Sequence, residues 1–77
     1  MIDNVPWEEE RVAKYFAEQI VKRAAELDLP LWAVGSYSDV SESTMKEYVK
    51  DKRLPKGFTI VRIASALECS VSDLLGC

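Results

Sequence analysis

Apolar residues recur at helical spacing along most of this chain, and this pattern limits its fold more than any other feature. In the first third the recurring residues are Ala13, Phe16, Ala17, Ile20, Ala24 and Leu27. Steps of three and four residues place such side chains on one face of a helix, where they can pack against a core. No segment has the alternation of apolar and polar residues that is typical of a strand. The spacing therefore predicts an all-α fold.

Proline and helix-capping residues divide this pattern into five predicted helices. Pro6 suits a first helical turn, and Asp28-Leu29-Pro30 ends that helix because the residue before a proline avoids helical geometry. Ser41 is a favourable N-cap, and Ser70 followed by Asp73 matches a capping box. The predicted helices cover about 6–27, 31–37, 42–50, 58–67 and 70–75.

The fourth predicted helix is apolar around much of its circumference, so we expect it to be the most buried element and the centre of the core. Gly35 lies inside the second helix, where glycine costs about 1 kcal/mol relative to alanine, and it indicates a close backbone approach. The core is predicted to include Phe16, Ile20, Val34, Val40, Met45, Val49, Ile60, Ile63, Ala64, Leu67 and Leu74.

The length and composition exclude several classes of protein. A chain of 77 residues is expected to form a single domain over residues 1–77. It has no histidine and two cysteines, Cys69 and Cys77, which are too few ligands for a structural zinc site, and no cluster of residues suggests catalysis. We therefore expect neither an enzyme nor a cofactor or metal. The longest apolar runs are too short for a membrane span, and no signal peptide is evident, so a cytoplasmic location is expected.

The charge is distributed unevenly along the chain. The whole sequence has a net charge of −3 and a pI of about 4.9, which argues against nucleic-acid binding. Residues 46–56, however, contain five basic and two acidic residues, a local net charge of +3. Such a segment is either a solvated loop or a surface that contacts phosphate.

Four short motifs follow one another in a recognisable order. They are Val40-Ser41-x-Ser43-Thr44-Met45, Lys52-Arg53-x-Pro55, Ile63-Ala64-x-Ala66-Leu67 and Ser70-Val71-Ser72-Asp73-Leu74-Leu75. In this order and spacing, residues 27–75 resemble the lambda-repressor-like helix-turn-helix domains of the Cro/C1 (XRE) type. The resemblance implies a five-helix fold with its helix-turn-helix core at about 27–75, preceded by helix one at about 6–27.

The resemblance also implies a sequence-specific, repressor-like regulator of phage or bacterial type that binds double-stranded DNA as a homodimer. In such folds the third helix, about 42–50, lies in the major groove with its first residues at the base edges. The residues that would contact bases are Glu42, Ser43, Lys46 and Glu47. The residues that would contact phosphates are Ser41, Lys50, Lys52, Arg53 and Lys56. Glu42 has a second interpretation, since a carboxylate in a first helical turn is favoured by the helix dipole without any ligand.

Several positions differ from the pattern of these families. Leu31 and Trp32 stand where a polar residue such as glutamine commonly begins the second helix, and Asp39 and Asp51 stand where glycine is usual. These differences and the acidic pI leave open an alternative with the same fold, a protein-interaction module of antitoxin or adaptor type. The candidate dimer or partner contacts are Trp7, Tyr15, Leu31 and Trp32.

Overall fold

The computed structural model describes residues 9–76, and this part of the chain contains helices and no strand. The helices are α1 (Glu9–Glu26), α2 (Leu31–Ser38), α3 (Glu42–Lys50), α4 (Phe58–Ala66) and α5 (Val71–Leu75). The predicted all-α fold with five helices is confirmed, and the predicted bounds agree to within a residue or two wherever they can be compared. The predicted start of helix one at Pro6 lies outside the described residues.

Local hydrogen bonds explain why α3 and α5 begin where they do. The Thr44 N–H donates to the Ser41 hydroxyl oxygen at 3.2 Å. At α5 the Asp73 N–H donates to the Ser70 hydroxyl oxygen and the Ser70 N–H donates to the Asp73 carboxylate, both at 3.1 Å, which confirms the capping box. The hydrogen bond from the Ser70 N–H lowers the pKa of the Asp73 carboxyl. The ionised carboxylate therefore stabilises the fold at neutral pH, and this stabilisation is lost as the pH falls through the lowered pKa.

The core is one cluster to which all five helices contribute. Its buried members include Phe16, Ile20, Val34, Met45, Ile63, Ala64, Leu67 and Leu74, all of them predicted core residues. Phe16 also meets the Tyr48 ring edge to face, with centroids 6.4 Å apart. The predicted core residues Val40, Val49 and Ile60 are only half-buried.

The prediction that the fourth helix is the most buried element is wrong. Phe58 is 76% exposed and Val61 47% exposed, and within α4 only Ile63 and Ala64 are buried. The element with most buried residues is α1, which contributes Ala13, Phe16, Ala17, Ile20 and Ala24. Length is one reason, since α1 has 18 residues and α4 has nine; α1 also packs against three helices, α2, α3 and α5, whereas α4 packs against α2 and α5.

The Arg23 side chain ties α1 to the C-terminal end of α4. Its Nη2 donates to the carbonyl oxygens of Leu67 at 3.0 Å and Glu68 at 3.1 Å, and its Nη1 donates to Glu26 Oε1 at 2.7 Å. Carbonyls at a helix end lack partners within the helix, and a cation there also complements the helix dipole. Arg23 therefore supplies a tertiary cap that the sequence pattern did not identify.

The turn between α2 and α3 depends on an unusually close backbone contact at Gly35. The Val40 N–H donates to the Gly35 carbonyl oxygen at 2.7 Å. A Cβ atom at Gly35 would lie 2.6 Å from the Val40 carbonyl oxygen and 2.9 Å from Met45 Cγ, so the predicted close approach is confirmed. Asp39 takes the left-handed conformation at φ 61°, as a residue standing in for glycine must.

We expect Gly35→Ala to destabilise the domain. Overpacking costs about 1 to 3 kcal/mol and the better helix propensity of alanine returns about 1 kcal/mol, leaving a net loss on the order of 1 kcal/mol in the free energy of unfolding. Urea denaturation followed by circular dichroism measures it. The matched control is Ser36→Ala on the exposed face of α2, which should change stability by about 0.5 kcal/mol or less. If Gly35→Ala is as stable as the control, the α2–α3 turn can move aside for a Cβ atom without losing stability, and the close contact does not require glycine.

Candidate nucleic-acid interface

Helix α3 separates its residues into an inward and an outward face. Met45 is fully buried, and Tyr48 and Val49 are half-buried against the core. The four residues predicted to contact bases, Glu42, Ser43, Lys46 and Glu47, are all exposed. Their three- and four-residue spacing places them along one side of the helix. The inward contacts thus hold α3 on the core and leave the other side open to solvent.

The inward side of α3 stays uncharged. Burial raises the pKa of the Tyr48 phenol, and the neighbouring Glu47 carboxylate raises it further, while Arg53 acts in the opposite direction. The phenol therefore remains protonated at neutral pH. The charges of α3 are confined to its exposed residues.

Ser41 caps α3 with its hydroxyl group. Besides accepting from the Thr44 N–H, the hydroxyl donates to Thr44 Oγ1 at 2.9 Å, and Ser43 Oγ lies 3.3 Å away. The hydroxyl is thus engaged inside the first turn of α3.

The segment after α3 presents its cations to solvent. Lys52, Arg53 and Lys56 are exposed, as is Lys50 at the end of α3, while Pro55 is buried and anchors the segment to the domain. Asp51 stays in the right-handed region, and the left-handed residue at φ 54° is Lys52, one position after the aspartate that stands where glycine is usual. The turn that ends the helix thus occurs at Lys52.

Glu47 and Arg53 form an ion pair between the outward side of α3 and the following segment. Arg53 Nη1 lies 3.9 Å from Glu47 Oε1, and both side chains are solvent-exposed, at 68% and 50%. The chain reversal after Lys50 brings these two residues together. Each residue was predicted to make a separate DNA contact, and their pairing was not predicted, since no local pattern links positions six apart across a helix end.

A comparison with protein families matches residues 33–77 to the Cro/C1-type helix-turn-helix DNA-binding domain. The match covers more than half of the chain and includes the turn at Asp39, all of α3 and the basic segment. The chain belongs to this family. It is a DNA-binding domain of the kind found in regulators. No curated protein and no solved structure matches the chain.

The Cro/C1-type match begins at Ala33, inside α2, so the candidate partner contacts all precede it. Trp32 is 60% exposed and Tyr15 39% exposed. Leu31 is half-buried and packs against the core, which leaves little of it for a partner, and Trp7 lies outside the described residues. Tyr15 lies against α5, since a Cβ atom at Gly76 would be 3.0 Å from its ring.

Two further observations concern the described part of this Cro/C1-type domain. Residues 9–76 include no helix that is both long and apolar enough to cross a bilayer. The same residues contain no group of three or more histidine, cysteine, aspartate or glutamate side chains that could hold a metal ion.

Proposed function

We propose that this domain is a sequence-specific, repressor-like transcriptional regulator that inserts α3 into the major groove of double-stranded DNA. One observation carries the proposal: the outward side of α3 is exposed and continues directly into a segment of exposed cations. This arrangement suits a helix whose first residues read base edges while neighbouring side chains hold the phosphate backbone.

The outward residues of α3 offer different chemistry to the bases. Lys46 donates hydrogen bonds, and guanine presents the O6 and N7 acceptors in the major groove. Ser43 can donate or accept. Glu47 accepts only, so cytosine, with its amino group, is the base it suits. Glu42 has no ion-pair partner within residues 9–76 and lies in the first turn of α3, where the helix dipole favours its charge.

The phosphate contacts in this proposal come from Lys50, Lys52, Arg53 and Lys56, together with Ser41. Each neutralised phosphate releases bound counterions, so affinity should fall steeply as salt rises. The local net charge of +3 over residues 46–56 governs this contact more than the total of −3, because charges beyond a Debye length are largely screened.

The regulator is proposed to act as a homodimer on a two-fold site, since one recognition helix reads only a few base pairs. Among the candidate contacts in residues 9–76, Trp32 is well exposed and Tyr15 is partly exposed. Sedimentation at high protein concentration should detect the dimer. If the protein is monomeric both in solution and when bound to DNA, this part of the proposal is wrong.

The regulator function is tested by selecting duplexes from a random library and titrating salt against binding to the selected site and to random duplex. We expect tighter binding to the selected site, and affinity for both should fall with salt concentration. If no duplex in the library shows salt-dependent binding, the alternative of a protein-interaction module replaces the regulator, with the 60%-exposed Trp32 as its contact.

A further inference from the structure

We infer that Glu47 competes with DNA phosphate for Arg53 and that it raises specificity because only the preferred site gives its carboxylate a new partner, an inference that rests on the proposed DNA-binding function. The free domain holds the Arg53 guanidinium within ion-pair distance of the Glu47 carboxylate. A DNA phosphate near Arg53 therefore competes with the Glu47 carboxylate for this guanidinium. This competition links a residue that faces bases to a residue that faces the backbone.

Arg53 differs in this respect from the other cations of the segment. Within residues 9–76, Lys46, Lys50, Lys52 and Lys56 have no ion-pair partner, and Arg53 has Glu47. Both members of the pair are exposed, so the attraction is weak enough for phosphate to displace it. An arginine fork also binds phosphate oxygens well, which gives Arg53 a suitable alternative partner.

The exchange leaves Glu47 in different situations on different DNA. On a random sequence, Arg53 moves to a phosphate and the Glu47 carboxylate is left without a partner near other phosphates, which repel it. On a site that places a cytosine amino group opposite Glu47, the carboxylate accepts a hydrogen bond instead. Glu47 therefore lowers affinity for random duplex and keeps affinity for its preferred site, which is what raises specificity.

The experiment is a pair of double-mutant cycles measured by binding to random duplex at fixed salt. The first cycle combines E47Q with R53Q. The matched control cycle combines E42Q with R53Q, because Glu42 carries the same charge on the exposed side of the same helix and has no ion-pair partner within residues 9–76. All three side chains are exposed, so the variants should fold, and circular dichroism verifies this.

We expect E47Q to raise affinity for random duplex by a factor of about 1.5 to 5 when Arg53 is present. This factor corresponds to the interaction free energy of an exposed ion pair. In the R53Q background the same change should have a smaller effect, and the control cycle should be additive. E47Q should also lower the ratio of selected-site to random affinity.

Two results would overturn the inference in different ways. If wild type and all variants bind duplex with salt dependence but the first cycle is as additive as the control, Glu47 does not compete for Arg53, and the regulator function stands. If none of the proteins binds any duplex with salt dependence, the regulator function and this inference both fail.

Discussion

Replacing Leu67 with alanine is expected to cost about 2 to 5 kcal/mol of unfolding free energy, the range found for large-to-small substitutions in cores. Leu67 is fully buried at the end of α4, and its carbonyl oxygen accepts the hydrogen bond from Arg23. Removing the side chain leaves a cavity next to that tertiary cap. Since the total free energy of unfolding of a domain is only about 5 to 15 kcal/mol, the urea concentration at the unfolding midpoint should fall markedly.

The matched control for Leu67→Ala is Val61→Ala in α4, the helix that Leu67 follows directly. Val61 is 47% exposed, so its truncation should change the free energy of unfolding much less. Urea titrations of the three proteins at one temperature make the comparison. Equal losses at the two positions would mean that Leu67 does not lie in the core, and the fold described here would be wrong.

Replacing Lys46 with alanine is expected to weaken binding to the preferred DNA site by about 1 to 3 kcal/mol, a factor of about 5 to 150, and to leave random-duplex affinity nearly intact. The reason is that Lys46 lies on the outward side of α3, where base contacts specify sequence. Ser43→Ala should follow the same pattern. Salt titrations on the selected site and on random duplex measure both effects.

Lys52→Gln is the contrasting substitution, because a phosphate contact positions the protein without reading sequence. It should weaken binding to all duplexes alike and lower the salt slope by about one unit. Lys22→Gln, an exposed lysine on α1, is the charge control and should leave the slope unchanged. If Lys46→Ala and Lys52→Gln reduce affinity in the same way on both duplexes, α3 does not read bases.

Much of the fold could be predicted because its decisive signals are local. The Ser41 cap and the Ser70–Asp73 capping box are hydrogen bonds between residues three apart, so the residue types in the sequence are enough to identify them. The close approach at Gly35 could be predicted because glycine destabilises a helix interior, so its presence there indicates a packing constraint. The burial of α4 could not be predicted, since an apolar side chain such as Phe58 is buried only if another element covers it.

The candidate site was predictable to a similar degree. The exposed residues of α3 follow from helical spacing once Met45 and Tyr48 are assigned to the core, and the cations of the next segment are evident in the sequence. The pairing of Glu47 with Arg53 was not evident, because it depends on how the chain reverses after α3. The left-handed conformation of Lys52 is part of that same reversal.

The positions of the helices, the residues that cap them and the concentration of positive charge follow from local sequence, because these properties depend on neighbours within about four positions along the chain. The packing of the helices, in contrast, is what makes α1 the largest contributor to the core, brings Arg23 to the end of α4 and pairs Glu47 with Arg53. These contacts join residues on different elements. Their distances depend on the packing of whole helices, and no local pattern of residues contains that information.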